Sequence, residues 1–300
     1  MGLMANMNVR CEDHSGSSKS WREGRRPVWP FASAIVLCLV GLGVVVLSSF
    51  ENRLIYFPDR QPLESWKPAG LRFEDAEFEA ADGTRLHGWY FDAPDPRAVV
   101  LFAHGNGGNV TYCADTLDML RERHRVAILG FDYRGYGLSQ GMPDEPGVMA
   151  DARAARAWLA RRAGVNERQV VLMGTSLGGA VMVDLAANDG CRGLILESTF
   201  CALRDVAAHH YPLLPVRWLM RTSMDSRSKI ARYAGPLLQC HSTTDEIVPF
   251  ALGRRLFDAA NEPKTFVELN GLGHNAPLPE EYYLRLDEFI EALPKPATGV

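Results

Sequence analysis

The feature that most constrains the fold is an ordered alternation of short apolar runs with longer amphipathic stretches. Continuous apolar runs of this length are typical of strands buried on both faces of a sheet. Strands of this kind that alternate with helices imply a mostly parallel sheet covered by helices on both faces. The predicted strands are AVVLFAH at 98–104, VAILGFD at 126–132, QVVLMG at 169–174, GLILES at 193–198, PLLQCHS at 236–242 and KTFVELN at 264–270. The predicted helices cover about 110–124, 146–163, 177–187, 249–261 and 279–292.

Two parts of the chain depart from this alternation. Before residue 98, two alternating runs flank Asp82-Gly83, a dipeptide that favours a tight hairpin turn and therefore an antiparallel edge. Residues 200–235 contain His209, His210, Tyr211, Pro212, Pro215, Trp218 and Met220. We interpret them as a short helical cap insertion that shapes the substrate pocket, because long insertions in compact domains tend to be functional. A connection that does not touch substrate is the alternative.

An apolar segment near the N-terminus predicts one transmembrane helix. Residues 31–50 read FASAIVLCLVGLGVVVLSSF, and no charged residue lies between Arg26 and Glu51. Twenty helical residues rise about 30 Å, which matches the hydrocarbon core of a bilayer. A cleaved signal peptide is the alternative, but 47–49 (Leu-Ser-Ser) matches a cleavage site poorly.

This segment divides the chain into parts with different expected roles. Residues 1–30 are polar and are expected to form a flexible tail, 51–71 contain three prolines and are expected to form a linker lying on the domain, and 72–300 are expected to form one domain. Arg22, Arg25 and Arg26 precede the apolar segment, so the positive-inside rule predicts a cytoplasmic N-terminus and an extracytoplasmic domain.

Charge and cysteine content limit the function classes. The net charge is −4, and no long basic run follows residue 26, so nothing indicates nucleic-acid binding. The six cysteines include no C-x-x-C pair and no zinc-like spacing with histidine, and we expect neither a metal nor a cofactor. Free thiols are the expected state, and one bridge among Cys113, Cys191, Cys201 and Cys240 is left open.

The candidate nucleophile is Ser176 in Gly174-Thr175-Ser176-Leu177-Gly178, a G-x-S-x-G sequence. The pattern alone is weak, but here it directly follows a predicted buried strand and directly precedes a predicted helix. This context is the nucleophile elbow, a sharp turn that exposes the serine hydroxyl at the edge of a sheet. Glycines at both ends remove side chains that would collide there.

A serine hydroxyl needs a base and the base needs an orienting acid. His274 lies in a glycine-rich loop directly after the last predicted strand. Asp245 directly follows the preceding predicted strand and is the candidate for the orienting acid. The neighbouring Glu246 is a weaker candidate for this role, and Asp225 follows no strand. The chain order Ser176, Asp245, His274 is the order expected for an elbow of this type.

The loop at 104–109, HGNGGN, predicts an oxyanion hole. It follows a buried strand and opens a helix, so its backbone N–H groups can approach a substrate oxygen. We assign the two donors to the backbone N–H groups of Asn106 and Leu177. His104 is interpreted as a structural residue that braces the loop rather than as a catalytic base. A metal role for it is not expected, because no carboxylate or second histidine is suitably spaced near it.

Together these motifs resemble the α/β-hydrolase family, over about residues 75–292. The matching segments are HGNGGN at 104–109, FDYRGYGLS at 131–139, GTSLGG at 174–179, ESTF at 197–200, DEIVP at 245–249 and GHN at 273–275. The apolar segment followed by LIYFPD at 54–59 looks like a membrane-anchored branch that includes acyl-protein thioesterases. The resemblance implies the triad Ser176, Asp245, His274 and structural roles for Asp132 and Arg134. Ser242 stands where glycine is common, which affects loop detail only.

These observations predict a membrane-anchored serine hydrolase acting on an ester or thioester, with a small-molecule or lipid-like acyl substrate. Two alternatives use the same fold: a non-catalytic membrane-tethered scaffold, and an acyltransferase that delivers the acyl group to an acceptor other than water. A scaffold typically lacks at least one triad or oxyanion element, and this sequence retains all of them.

Overall fold

The computed structural model describes residue 43 and residues 50–294, and residues 50–294 belong to one compact unit of the chain. The predicted tail and almost all of the predicted transmembrane segment at 31–50 lie outside the described residues. Within the described part of the chain, no helix is both long enough and apolar enough to cross a membrane.

The core of the molecule is an eight-stranded sheet with the strand order β10-β9-β8-β7-β4-β6-β3-β2. Its strands are β2 (Glu74–Glu79), β3 (Arg85–Phe91), β4 (Ala98–Ala103), β6 (Val126–Asp132), β7 (Val171–Thr175), β8 (Gly193–Glu197), β9 (Leu237–Ser242) and β10 (Lys264–Leu269). The six strands predicted from apolar runs are confirmed and pair in parallel. The predicted hairpin is confirmed as well: β2 and β3 are antiparallel and form one edge of the sheet, with Gly83 at a positive φ of 80° between them.

Helices cover both faces of the sheet, as predicted. They are α1 (Ala114–His124), α2 (Glu145–Ala163), α3 (Leu177–Asp189), α4 (Leu203–His210), α5 (Val216–Leu219), α6 (Ser226–Ile230), α7 (Phe250–Ala259) and α8 (Glu280–Ala292). Buried residues of α2, α3 and α7 share one apolar cluster, whereas those of α1 and α8 share the other. Because each face is covered, the carboxyl ends of the parallel strands are left as the edge where a site can form.

The insertion between β8 and β9 is helical and contains α4, α5 and α6. Its middle is exposed: Leu213 and Trp218 are 95% and 91% accessible to solvent. Its end is fixed to the domain, because the Glu145 carboxylate accepts hydrogen bonds from the N–H groups of Ser223 and Met224 at 2.8 and 3.1 Å.

The segment at 51–71 is more ordered than the linker expected from its prolines. Residues 50–55 are helical, and Tyr56 is buried. The following strand β1 (Phe57–Pro58) pairs in parallel with β5 (Gly107–Gly108) in the predicted oxyanion loop. A two-residue strand is too short to produce a periodic sequence signal, which is why this pairing could not be predicted.

Candidate active site

Ser176 lies on the turn between β7 and α3, in the backbone conformation expected of a nucleophile elbow. Its φ is +53° and its ψ is −116°, a strained region for a residue with a side chain. The turn admits no larger residue at Gly174, where a Cβ atom would lie 2.4 Å from the Gly178 carbonyl oxygen. A Cβ on Gly178 would lie 2.1 Å from the Ala103 carbonyl oxygen. The glycines at both ends of the motif are therefore required by close backbone approach.

The conformation of Ser176 is held by the neighbouring strand β8 and the residues after it. The Ser176 N–H donates to the Glu197 carbonyl oxygen at 2.8 Å, and the Thr199 hydroxyl donates to the Ser176 carbonyl oxygen at 2.7 Å. These two bonds fix both sides of the strained residue and explain why the ESTF segment at 197–200 accompanies the elbow.

His274 and Asp245 form the hydrogen-bonded pair that the sequence predicts. The Nδ1 atom of His274 lies 2.8 Å from Oδ2 of Asp245, and the two side chains are 6% and 0% exposed. The other carboxylate oxygen of Asp245 accepts the N–H groups of Ile247 and Val248 at 3.0 and 2.7 Å. Because an ionised carboxylate only accepts hydrogen bonds, it favours the tautomer with the proton on Nδ1, and Nε2 is then the basic nitrogen of the imidazole.

A second histidine, His241, contributes to this pair and was not found from the sequence. Its Nε2 lies 2.8 Å from the Val248 carbonyl oxygen and 3.3 Å from Oδ2 of Asp245. Burial alone would raise the pKa of Asp245, but hydrogen bonds from His241, His274 and the Val248 backbone hold it well below its usual value. Asp245 is thus kept ionised beside His274.

The loops that carry Asp245 and His274 are joined by two further contacts. The Glu246 carboxylate accepts the backbone N–H of His274 at 3.0 Å, so Glu246, the alternative candidate acid, holds the backbone of His274 instead of its imidazole. The Ser242 hydroxyl donates to the Leu272 carbonyl oxygen at 2.6 Å. The serine at the position where glycine is common therefore ties the two loops together. Asp225, the other rejected acid, caps α6 by accepting the Ser228 N–H at 3.1 Å.

The predicted oxyanion loop lies against the elbow. A Cβ placed on Gly105 would lie 3.7 Å from Cβ of Ser176. Asn106 is held through its oxygens and its side-chain amide. The Tyr136 hydroxyl lies within hydrogen-bond distance of both its carbonyl oxygen and its side-chain oxygen. Its side-chain amide donates to the Ile55 carbonyl oxygen. Leu177 is the first residue of α3, and an N–H at this position has no acceptor within its helix.

The segment at 55–63, here called the strap, fastens this loop along its length. The Asn109 side-chain amide donates to the carbonyl oxygens of Asp59 and Gln61 at 3.1 and 2.6 Å. The Leu63 N–H donates to the Thr111 hydroxyl at 2.9 Å. No local sequence signal joins residues about 50 positions apart, so the strap could only be found in the structure.

His104 and Asp132 lie beneath the loop, as expected for structural residues. Nδ1 of His104 lies 2.7 Å from the Gly105 carbonyl oxygen, and its ring packs 4.7 Å from the Tyr133 ring. The Asp132 carboxylate accepts the Val110 N–H at 2.7 Å, and Nε2 of His104 and Nδ1 of His87 lie 3.5 and 3.8 Å from it. Burial would raise the pKa of Asp132, but the neighbouring His104 and His87 side chains lower it, so the carboxylate stays charged.

Arg134 forms a buried ion pair away from the loop. Its guanidinium binds both carboxylate oxygens of Asp151, and its N–H donates to the same carboxylate at 2.8 Å. A third contact, to Asp82 at 2.9 Å, reaches the hairpin turn. This arrangement connects the hairpin, the segment after β6 and α2, and it accords with the structural role that the resemblance implies.

Three of the predicted elements border one cavity of about 380 Å³. Gly105 of the oxyanion loop, Thr175 of the elbow and His274 all line it. The structure therefore brings the Asp245–His274 pair, the elbow and the oxyanion loop to the same end of the sheet. The cysteines named above, Cys113, Cys191, Cys201 and Cys240, are free thiols.

Comparison with known proteins assigns the chain to a family. An α/β-hydrolase domain-containing protein of Arabidopsis thaliana is 31% identical over 77% of this chain and 83% of its own length. The chain belongs to the α/β-hydrolase family. An uncharacterised protein of Mycobacterium tuberculosis is 40% identical over 81% of the chain and 87% of its own length. The family model described as serine aminopeptidase, S33, matches residues 94–223 of this α/β-hydrolase.

The fold of this α/β-hydrolase is also found among solved structures. The esterase Pf2001 of Pyrococcus furiosus superposes with a TM-score of 0.65 at 18% identity, over 79% of this chain and 99% of the esterase. A relative in Saccharomyces cerevisiae, 28% identical over 83% of this chain and 91% of its own length, is described as a membrane protein.

Proposed function

We propose that the chain is a membrane-anchored serine hydrolase that cleaves an ester or thioester through an acyl-enzyme on Ser176. The observation that carries the proposal is the 2.8 Å contact between His274 and Asp245 at a cavity bordered by the nucleophile elbow and the oxyanion loop. Family membership supports a hydrolytic reaction, and the strained conformation of Ser176 supports its role as nucleophile.

The proposed reaction uses each of these groups in turn. Nε2 of His274 takes the proton of the Ser176 hydroxyl as its oxygen bonds to the substrate carbonyl carbon. The negative charge that develops on the carbonyl oxygen is stabilised by the N–H groups of Leu177 and Asn106. The imidazolium, stabilised by ionised Asp245, then protonates the leaving alcohol or thiol. Water repeats the sequence, which releases the acid and restores Ser176.

Membrane anchoring is proposed through residues 31–50, with the domain on the extracytoplasmic side. Support comes from the uncharged twenty-residue apolar segment and from the description of the yeast relative. We expect the full chain to remain with membranes after alkaline carbonate extraction and to be cleaved by protease added to the extracytoplasmic face. Release of the full chain by carbonate would contradict the anchor.

Labelling with a fluorophosphonate, which reacts with activated serines, tests the chemical proposal. We expect labelling of the wild-type chain and no labelling of Ser176→Ala. The matched control is Ser228→Ala, which removes a hydroxyl whose contact is local to α6 and should retain full labelling. Absence of labelling in the folded wild-type chain would favour a non-catalytic scaffold, and labelling that persists in Ser176→Ala would assign the nucleophile elsewhere.

A further inference from the structure

The cavity beside His274 extends away from the elbow, between the sheet and the helices α1 and α8. Its walls carry mostly apolar side chains. Those that matter here are Phe102 of β4, Met173 of β7, Leu120 of α1 and Tyr283 of α8. Phe102, Met173 and Leu120 are at most 4% exposed, so the inner wall is part of the apolar core. The exposed Thr116 lies at the solvent side.

The polar groups that border the cavity are neutral or already bonded. The two carboxyl oxygens of Glu197 bond the Tyr282 hydroxyl at 2.5 Å and the Thr175 hydroxyl at 2.7 Å. Burial raises the pKa of Glu197, which favours its uncharged form, and raises the pKa of the Cys113 thiol to about 12. A ligand in this cavity therefore finds apolar surface and meets no unpaired charge.

The cavity begins where a bound substrate carbonyl is expected. A Cβ built on Gly105 would lie 3.7 Å from Cβ of Ser176, so a carbonyl carbon attached to the Ser176 hydroxyl would lie close to Gly105, which itself lines the cavity. The acyl portion of the same substrate needs apolar surroundings within reach of this point. The site of chemistry and the apolar cavity are thus adjoining parts of one surface.

We infer that this cavity binds the aliphatic acyl chain of the substrate, so that the proposed hydrolase acts on acyl groups of medium length rather than on acetyl groups alone. The inference rests on the proposed function, because the acyl chain is placed relative to Ser176. Burial of each methylene in an apolar pocket lowers the free energy of the bound state, so longer chains are favoured until they reach the inner wall.

Leu120 and Met173 form the inner wall that limits the chain length. Both also line a second, much smaller void of about 10 Å³, together with buried residues such as Ile195 and Leu286. Enlarging either side chain shortens the cavity, whereas shortening Met173 joins it to the void. The two changes should therefore shift the preferred acyl length in opposite directions.

The test compares kcat/KM for p-nitrophenyl acetate, octanoate and dodecanoate, using the full chain in micelles of one detergent. Leu120→Trp should lower the octanoate-to-acetate ratio by about tenfold or more, because misplaced methylenes in a fitted pocket have effects of that size. Met173→Ala should raise the dodecanoate-to-octanoate ratio. Thr116→Trp, at an exposed position that tolerates substitution, should lower the octanoate-to-acetate ratio by obstructing the open side.

The matched control is Glu122→Trp, an exposed position of the same helix that does not line the cavity, and its chain-length profile should equal that of the wild type. Chain-length ratios that stay at the wild-type value in all three cavity variants would overturn the inference while leaving the hydrolase proposal intact. A wild-type chain that hydrolyses none of the esters and resists fluorophosphonate would overturn the proposed function itself.

Discussion

The oxyanion loop and the cap insertion both follow strands of the same sheet, yet they are built in opposite ways. The loop at 104–109 is fastened by the strap, by the Tyr136 hydroxyl and by buried Asp132. The middle of the insertion instead presents Leu213 and Trp218 almost fully to solvent. Groups that stabilise charge must be held in place before the reaction, whereas a surface that meets substrate or membrane needs no such fixation. Under the proposed function, the difference separates a fixed part, the oxyanion loop, which would stabilise the reacting charge, from an exposed part, the insertion, which would meet substrate or membrane.

The largest expected effect is a loss of kcat on substitution of Asp245, which is held by hydrogen bonds on both carboxylate oxygens. Asp245→Asn should lower kcat by about 10⁴-fold, because the amide no longer favours the imidazole tautomer that accepts the Ser176 proton. Steady-state kinetics with p-nitrophenyl acetate measure this effect. The control is Asp225→Asn at the cap of α6, which should stay near the wild-type rate. Equal rates in Asp245→Asn and the wild type would remove Asp245 from the proposed triad.

The next largest effect concerns the strap, which we propose holds the oxyanion donors in position. Asn109→Leu removes the two side-chain hydrogen bonds to the strap, together with the two that Oδ1 of Asn109 accepts from the N–H and hydroxyl of Thr111, and does not alter the residues that carry the proposed oxyanion donors. We expect kcat to fall by about 10²-fold with little change in KM, since a displacement of about 1 Å in a catalytic group has effects of this size. Inhibition by a phosphonate transition-state analogue should weaken in parallel.

The strap prediction has its own control and its own contrary outcome. Thr243→Ala removes a loop hydrogen bond to Asn270 that lies outside the oxyanion loop, and kcat should be nearly unchanged. If Asn109→Leu raises KM but leaves kcat and phosphonate inhibition as in the wild type, the strap has no part in holding the oxyanion donors.

The lowered pKa of Asp245 predicts that the free energy of unfolding depends on pH. Because the folded-state pKa is lowered, the contribution of Asp245 is present above the unfolded pKa of about 4 and is lost as the pH falls through the folded value. The difference in unfolding free energy between the wild type and Asp245→Asn should therefore shrink below about pH 4, by an amount on the order of 2 kcal/mol. Denaturant titrations at several pH values measure it. A difference that stays constant down to pH 2 would contradict the lowered pKa.

The smallest effect is expected for Trp218, in the exposed middle of the insertion. Trp218→Ser should change the free energy of unfolding by no more than about 0.5 kcal/mol, because the side chain is 91% exposed. Hydrolysis of p-nitrophenyl acetate should also be unchanged. A large loss of stability or of acetate hydrolysis would show that the insertion is as closely coupled to the chemistry as the oxyanion loop, and would remove the contrast between them.

The sequence by itself determined the buried strands, their mostly parallel pairing with an antiparallel edge, and the positions of the main candidate residues, whereas the order of the strands came from the structure. Continuous apolar runs such as 126–132 and 193–198 mark buried strands locally. Ser176, Asp245 and His274 each follow the carboxyl end of such a strand, and in a parallel sheet these ends lie at one edge. Only the tertiary structure decided which polar groups support them. His241, Glu246 and the strap act through contacts between distant segments or through single hydrogen bonds, and neither leaves a repeating pattern along the chain. The cavity behind His274 is likewise a space between elements, and its size depends on how α1 and α8 pack on the sheet.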